Sequence, residues 1–181
     1  VPAARVSDIG FDLSLIGGYG HDDRVCAYPA LMAALDCPTP SYTTVTVLTD
    51  KEEIGSVGNT GLSSAYLQFF VEDLAKTQGL EGRDVLRASE CLSADVNAGV
   101  DPTFQSVHDK LNASFVNRGI VVTKYTGARG KSDTSDANAE FVGKLRKLFD
   151  ENVIVWQIGE LGKFDEGGGG TVAKYVAHLG V

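Results

Sequence analysis

The heptapeptide VIVWQIG (residues 153–159) is apolar almost throughout. A strand without the in-and-out alternation of a half-buried sheet belongs where both faces are covered, as in a parallel sheet flanked by helices. The rest of the chain holds matching parts. YTTVTVLT (42–49) alternates and is β-branched, and ASECLSADV (88–96) and GIVVTKY (119–125) read as further strands. LSSAYLQFFVEDLAK puts Leu62, Ala65, Tyr66, Phe69, Phe70 and Leu74 on one helical face, with Asn59 or Thr60 as candidate cap. DANAEFVGKLRKLF aligns Ala137, Phe141, Leu145 and Leu148. A last helix follows EGGGGT, and Pro38 and Pro40 stop the helix that starts near YGHDD. Strands separated by helices predict an α/β fold, a three-layer α/β/α sandwich with a mostly parallel central sheet. Ligands of such sheets sit at the carboxyl ends of the strands.

At 181 residues the chain suits one domain, and no internal repeat or linker interrupts it. A net charge of −8 argues against nucleic acid or an anionic membrane as partner, since both select basic patches. No stretch reaches the roughly 20 apolar residues of a membrane helix. Cys26, Cys37 and Cys91 lack C-x-x-C spacing, and Cys26 and Cys91 lie in apolar-patterned segments. They read as reduced core residues of a cytoplasmic protein. The chain opens VPAARVSDIG without methionine or leader and stops at AHLGV. The expectation is a domain, 1–181, incomplete at both termini.

Three acidic clusters fall at turns or strand ends, where a sheet's ligand site would lie. They are Asp22-Asp23 in YGHDDRV, Glu52-Glu53 in TVLTDKEEIGS and Asp95 in LSADVN. Singly, each is explained by a solvated turn. Together they meet the needs of a dinuclear metal hydrolase: a bridging carboxylate, further carboxylate and imidazole ligands, and one carboxylate kept off the metals as a base. Adjacent glutamates can divide that labour, because neighbouring side chains at a strand exit point in different directions.

YGHDDRVCAYPAL, TDKEEIGSVGNTG, SADVNAGVDPTF and FDEGGGGTVAKYVA follow one another at suitable spacing. In that order they resemble the M18 family of zinc aminopeptidases over essentially the whole chain, D-x-E-E-I-G-S being the most specific part. The resemblance implies a zinc-peptidase sandwich of the phosphorylase/hydrolase-like type and release of N-terminal residues from peptides. It implies two Zn2+ ions, with Co2+ or Mn2+ as alternatives. Asp22 would bridge the metals, followed by Asp23 across a cis peptide bond. Glu53 would bind one metal, Asp95 the other, and Glu52 would be the general base. Asp165, Gly168 and Gly169 would line the substrate cleft. Two histidine ligands are implied outside this chain, one before Val1 and one after Val181, so the chain is expected to be inactive alone. The family's dodecamer is expected of the intact protein, its pairing segment lying upstream of Val1. Where many relatives carry a histidine three residues after Asp95, this chain has Ala98.

The remaining signals are weaker. His21, His108 and His178 suit structural or surface roles. EGGGGT lacks the G-K-[ST] ending of a nucleotide loop. TGARGKSDTSDAN (126–138) reads as a solvated loop with Asp133 or Ser135 capping the next helix, or as a loop near the site. No Ser-His-Asp order or nucleophile elbow emerges. Within the same chemistry, an M42-type aminopeptidase or an amidohydrolase of the clan is an alternative. From another class, so is a catalytically inert assembly module.

Overall fold

The computed structural model describes residues 3–128, 132–160, 162, 163, 168 and 170–181. They divide into two compact units, Val1–Leu48 with Ala94–Val96, and Thr49–Ser93 with Asn97–Val181.

In the first unit, β1 (Ser7–Ile9) and β2 (Leu15–Gly17) form an antiparallel hairpin with Ile9 opposite Leu15. Its turn is closed by the Leu13 N–H donating to the Gly10 carbonyl at 3.2 Å. Gly10, at φ 94°, takes the left-handed conformation that glycine tolerates best. Helix α1 (His21–Asp36) starts irregularly, since Asp22 and Asp23 have non-helical dihedrals. Pro29 lies inside it and leaves the Val25 carbonyl without its i+4 donor.

In the second unit, Glu52–Ile54 forms a single 3-10 turn. α2 (Tyr66–Thr77) packs on α3 (Gly82–Arg87), burying Ala75 and Leu86. Gly82 permits the approach, because a Cβ there would stand 2.4 Å from Glu72 Cγ. β3 (Ile120–Val122) pairs in parallel with β6 (Trp156–Ile158), Val122 opposite Ile158. β4 (Tyr125–Ala128) and β5 (Ser132–Asp136) form an antiparallel hairpin. α4 (Ala139–Glu151) is capped by the Asn138 side chain, which accepts from the Glu140 and Phe141 N–H groups. α5 (Ala173–Ala177) buries Val176.

Helices α2, α4 and α5 fall where periodicity puts them. Residues 42–49 and 88–96, read as strands, form none. Their pattern favours extended backbone, but a strand also needs a hydrogen-bonded neighbour that local pattern does not name. The sheets among the described residues are two-stranded, and one pair of the three is parallel. In 153–159 the strand is confined to β6, and Val153 and Val155 are 88% and 67% exposed. Val153, at φ 56°, is used instead to end α4, and the Ile154 N–H returns to the Phe149 carbonyl at 2.9 Å.

The aromatic face expected of α2 is largely exposed at Tyr66, Phe69 and Phe70; on the same helix Val71 and Leu74 are half-buried and Ala75 is buried. Its start is Ala65, without a side-chain cap. Of 126–138, residues 126–128 and 132–136 pair as β4 and β5 rather than standing as loop, residues 129–131 lie outside the described residues, and Asn138 holds the cap position ahead of α4. The three thiols are free, with Cys26 half-buried and Cys37 and Cys91 exposed rather than in the core.

Candidate active site

Asp22 and Asp23 are delivered by the irregular first turn of α1, and Asp95 by an unpaired segment of the same unit. One carboxylate oxygen of each lies within 4.8 Å of the others. Asp22 is exposed and Asp95 half-buried. Three like charges so close repel one another unless a cation or protons intervene. Asp23 Oδ1 is buried without a hydrogen-bond partner among the described residues, the kind of orphan acceptor a bound ion would satisfy. Asp95 accepts from its neighbour, the Val96 N–H, at 2.7 Å. The Asp22-Asp23 peptide bond is cis, as the resemblance implies.

One turn along α1, Cys26 reports the local field. Burial first, then its hydrogen bond to Asp23 and the charges of Asp23, Asp95 and Asp22, push its thiol up to about 12. Cys26 is therefore a neutral thiol beside the Asp23 carboxylate throughout the physiological range.

Glu52 and Glu53 lie in the second unit. They follow no strand but occupy the 3-10 turn, where three residues per turn send successive side chains about 120° apart. Glu52 is half-buried and Glu53 exposed. The divergence expected of a strand exit is thus supplied by a tighter coil. Lys51 (φ 64°), Gly55 (φ 89°) and Ser56 (φ 57°) all have positive φ and wrap the chain back on itself. The Gly55 N–H donates to the Glu52 carbonyl at 3.0 Å, and the Ser56 N–H to the Lys51 carbonyl at 2.7 Å. Asp50 braces the start, accepting from the Lys51 N–H at 2.9 Å and the Thr60 hydroxyl at 3.2 Å. Ser56 is 2% exposed, and its carbonyl accepts from the Ser63 N–H and hydroxyl. Gly61 packs against that carbonyl so closely that a Cβ would stand 2.0 Å from it.

Of the expected substrate-side residues, Gly168 is exposed at φ 109°, while Asp165 and Gly169 lie outside the described residues. Beyond them, Thr171 Oγ1 accepts from the Ala173 N–H at 3.1 Å and from the Ser93 hydroxyl at 2.9 Å, fixing the start of α5. His108 Nε2 accepts from the Asp101 N–H at 3.3 Å, a structural role, and His21 and His178 are exposed.

Sequence reasoning noticed Asp23 but gave it no ligand role, and it missed the Cys26 thiol beside it. The i, i+3 spacing of the two at a helix start was the available signal. Tyr175, whose hydroxyl donates to the Gly55 carbonyl, left no signal, because that contact joins distant parts of the chain.

The model of the family described as aminopeptidase I zinc metalloprotease (M18) matches residues 1–181. A probable M18 family aminopeptidase 1 of Borrelia garinii is 48% identical over all of this chain and 41% of its own length. The crystal structure of the M18 aminopeptidase of Thermotoga maritima superposes with a TM-score of 0.91 at 45% identity, over 99% of this chain and 41% of that one. The yeast mApe1 dodecamer, 22% identical, shares the fold with a TM-score of 0.63 over 86% of this chain and 36% of that one. The chain thus spans about 41% of the length of the curated relatives it matches. It belongs to the M18 family of zinc metalloprotease aminopeptidases.

Proposed function

We propose that this chain contributes the carboxylate ligands and the general base of a dinuclear zinc aminopeptidase that removes N-terminal residues from peptides. The observation that carries the reading is the approach of Asp22, Asp23 and Asp95 within 4.8 Å. Oxygens sharing one zinc at about 2.0–2.2 Å lie up to about 4 Å apart, so the cluster needs only a small closure to hold an ion. The all-oxygen donor set and the orphaned Asp23 Oδ1 fit a hard or borderline cation, and Co2+ or Mn2+ fit it as Zn2+ does.

In this reading Asp22, Asp95 and Glu53 would hold the ions, Asp22 serving both, Asp95 one and Glu53 the other. Zinc, when bound, supplies a Lewis acid for the scissile carbonyl and lowers the pKa of water toward about 7. Glu52, turned away from Glu53 by the 3-10 geometry, takes the proton of the attacking water and passes it to the leaving amine. Asp165, Gly168 and Gly169 border the peptide, glycine letting backbone come close.

The α/β/α sandwich with a mostly parallel sheet belongs to the same reading. The parallel β3–β6 pair and the similarity to solved M18 structures support it. The two histidine ligands are assigned outside the chain, which alone is then inactive. A cytoplasmic homo-oligomer, with the yeast dodecamer as precedent, completes the picture. No helix among the described residues is long and apolar enough to cross a membrane, and the acidic balance disfavours nucleic acid. The M18 match over the whole chain lends no support to the M42-type or amidohydrolase alternatives.

The test is Glu52→Gln in the intact zinc-loaded protein, which supplies the two histidine ligands, assayed on aminoacyl anilides beside their N-acylated counterparts. Turnover of the free-amine substrates alone, lost in the variant with zinc content intact, is the expected result. Loss of zinc in that variant would assign Glu52 to the metal instead, and cleavage of the acylated substrates would exclude an aminopeptidase.

A further inference from the structure

The second unit contains a long-range hydrogen bond that the proposed mechanism does not use. The Tyr175 hydroxyl, on α5, donates to the Gly55 carbonyl at 2.9 Å across 120 positions of sequence. Gly55 is the residue that closes the Glu52–Ile54 turn, its N–H donating back to the Glu52 carbonyl and its φ at 89°. Asp50 braces the turn at its start, and Ser63 and Gly61 contact the Ser56 carbonyl after it. The Gly55–Ser56 peptide plane lies between them, its N–H held by the Lys51 carbonyl at 2.7 Å and its carbonyl by Tyr175.

The donor is itself well fixed. Tyr175 is half-buried, with the Lys174 ammonium 5.1 Å from its ring centre. Its neighbour Val176 is one of the buried core residues, and the start of α5 is tied down through Thr171 and Ser93. A donor whose surroundings are locked by packing and hydrogen bonds is what holds a reactive group in place.

Resting on the reading of Glu52 as base and Glu53 as metal ligand, we infer that Tyr175 is a positioning residue for both. Through the Gly55 carbonyl it sets the orientation of the turn on which they stand. A misplacement of about 1 Å at a catalytic group costs up to about 100-fold in rate, so one hydroxyl at this place acts on turnover as well as on stability.

The experiment compares Tyr175→Phe with Val176→Ala in the intact zinc-loaded protein that carries the two histidine ligands. The first removes only the hydroxyl, and the second weakens the packing of the same helix without touching the bond. At saturating zinc and well below the melting temperature, Y175F is expected to lower kcat roughly tenfold or more with KM within about twofold. Its zinc affinity, read by competition with a chelator, is expected to weaken as well, because Glu53 shares the turn. V176A is expected to lower the Tm and leave kcat unchanged. Wild-type kcat and zinc affinity in Y175F would overturn the inference, and so would an equal loss of kcat in V176A, which would make the effect one of helix packing. Glu52→Gln run in parallel keeps the two ideas apart. An active E52Q removes the base assignment, whereas an inactive E52Q beside a fully active Y175F removes only the role of Tyr175.

Discussion

Replacing Gly61 by alanine puts one methyl group against the turn that carries Glu52 and Glu53. The added Cβ would stand 2.0 Å from the Ser56 carbonyl oxygen and 2.4 Å from its carbon. Such contacts do not fall below 3.0 Å, so the two groups must part from 2.0 Å to at least that distance. Flexible side chains cannot absorb the shift, since both atoms are backbone. Ser56 is 2% exposed and bonded through its N–H to the Lys51 carbonyl, so the movement passes into the 51–56 wrap.

Overpacking of this kind costs about 1–3 kcal/mol of stability, and a displacement of about 1 Å at a base costs up to about 100-fold in turnover. Thermal unfolding and kcat on an aminoacyl anilide at saturating zinc measure the two effects. Gly143→Ala is the control. Gly143 lies inside α4, and a methyl group there would meet nothing within 4 Å. Alanine at that position is expected to add roughly 0.5–1 kcal/mol and leave kcat alone. A G61A protein as stable and active as wild type would refute the role given to this packing.

Asp22→Asn is expected to strip both zinc ions. The affinity loss should exceed about 100-fold, because losing a residue that merely orients a metal ligand already costs about 10–100-fold; a full zinc complement by elemental analysis would end the bridging assignment. Glu160→Gln addresses a carboxyl whose pKa is raised first by burial and then by the charges of Asp109 and Asp136. As pH climbs past the unfolded value near 4.5, the unfolded state loses its proton first, so stability falls until the folded pKa is passed and is then level. E160Q should therefore raise the urea midpoint at pH 7 and make no difference at pH 3; a lower midpoint at pH 7 would contradict the sign.

The helices were legible because the apolar spacing of α2 and α4 is a local property. Which side of α2 faces inward was not, since Tyr66, Phe69 and Phe70 look outward while Ala75 meets α3. Two of the strand readings failed for the same reason at longer range, while 119–125 and 153–159 hold β3 and β6: residues 42–49 have the composition of a strand but no ladder partner among the described residues. The 126–138 segment errs the other way. Its polar residues gave no alternation, yet backbone pairing of Tyr125 with Asp136 makes a hairpin. The site motifs were readable as motifs. That Asp22 and Asp95, 73 positions apart, would approach with Asp23 as a third carboxylate, and that Tyr175 would reach Gly55, depends on tertiary packing that no local pattern encodes.

The most direct test of the dinuclear reading is anomalous diffraction at the zinc edge from crystals of the zinc-loaded protein. Two peaks are expected, Asp22 touching both, Asp95 and Glu53 one each, and Glu52 neither. A single peak, or two peaks with Asp23 or Glu52 in the place of Asp22 or Glu53, would contradict it.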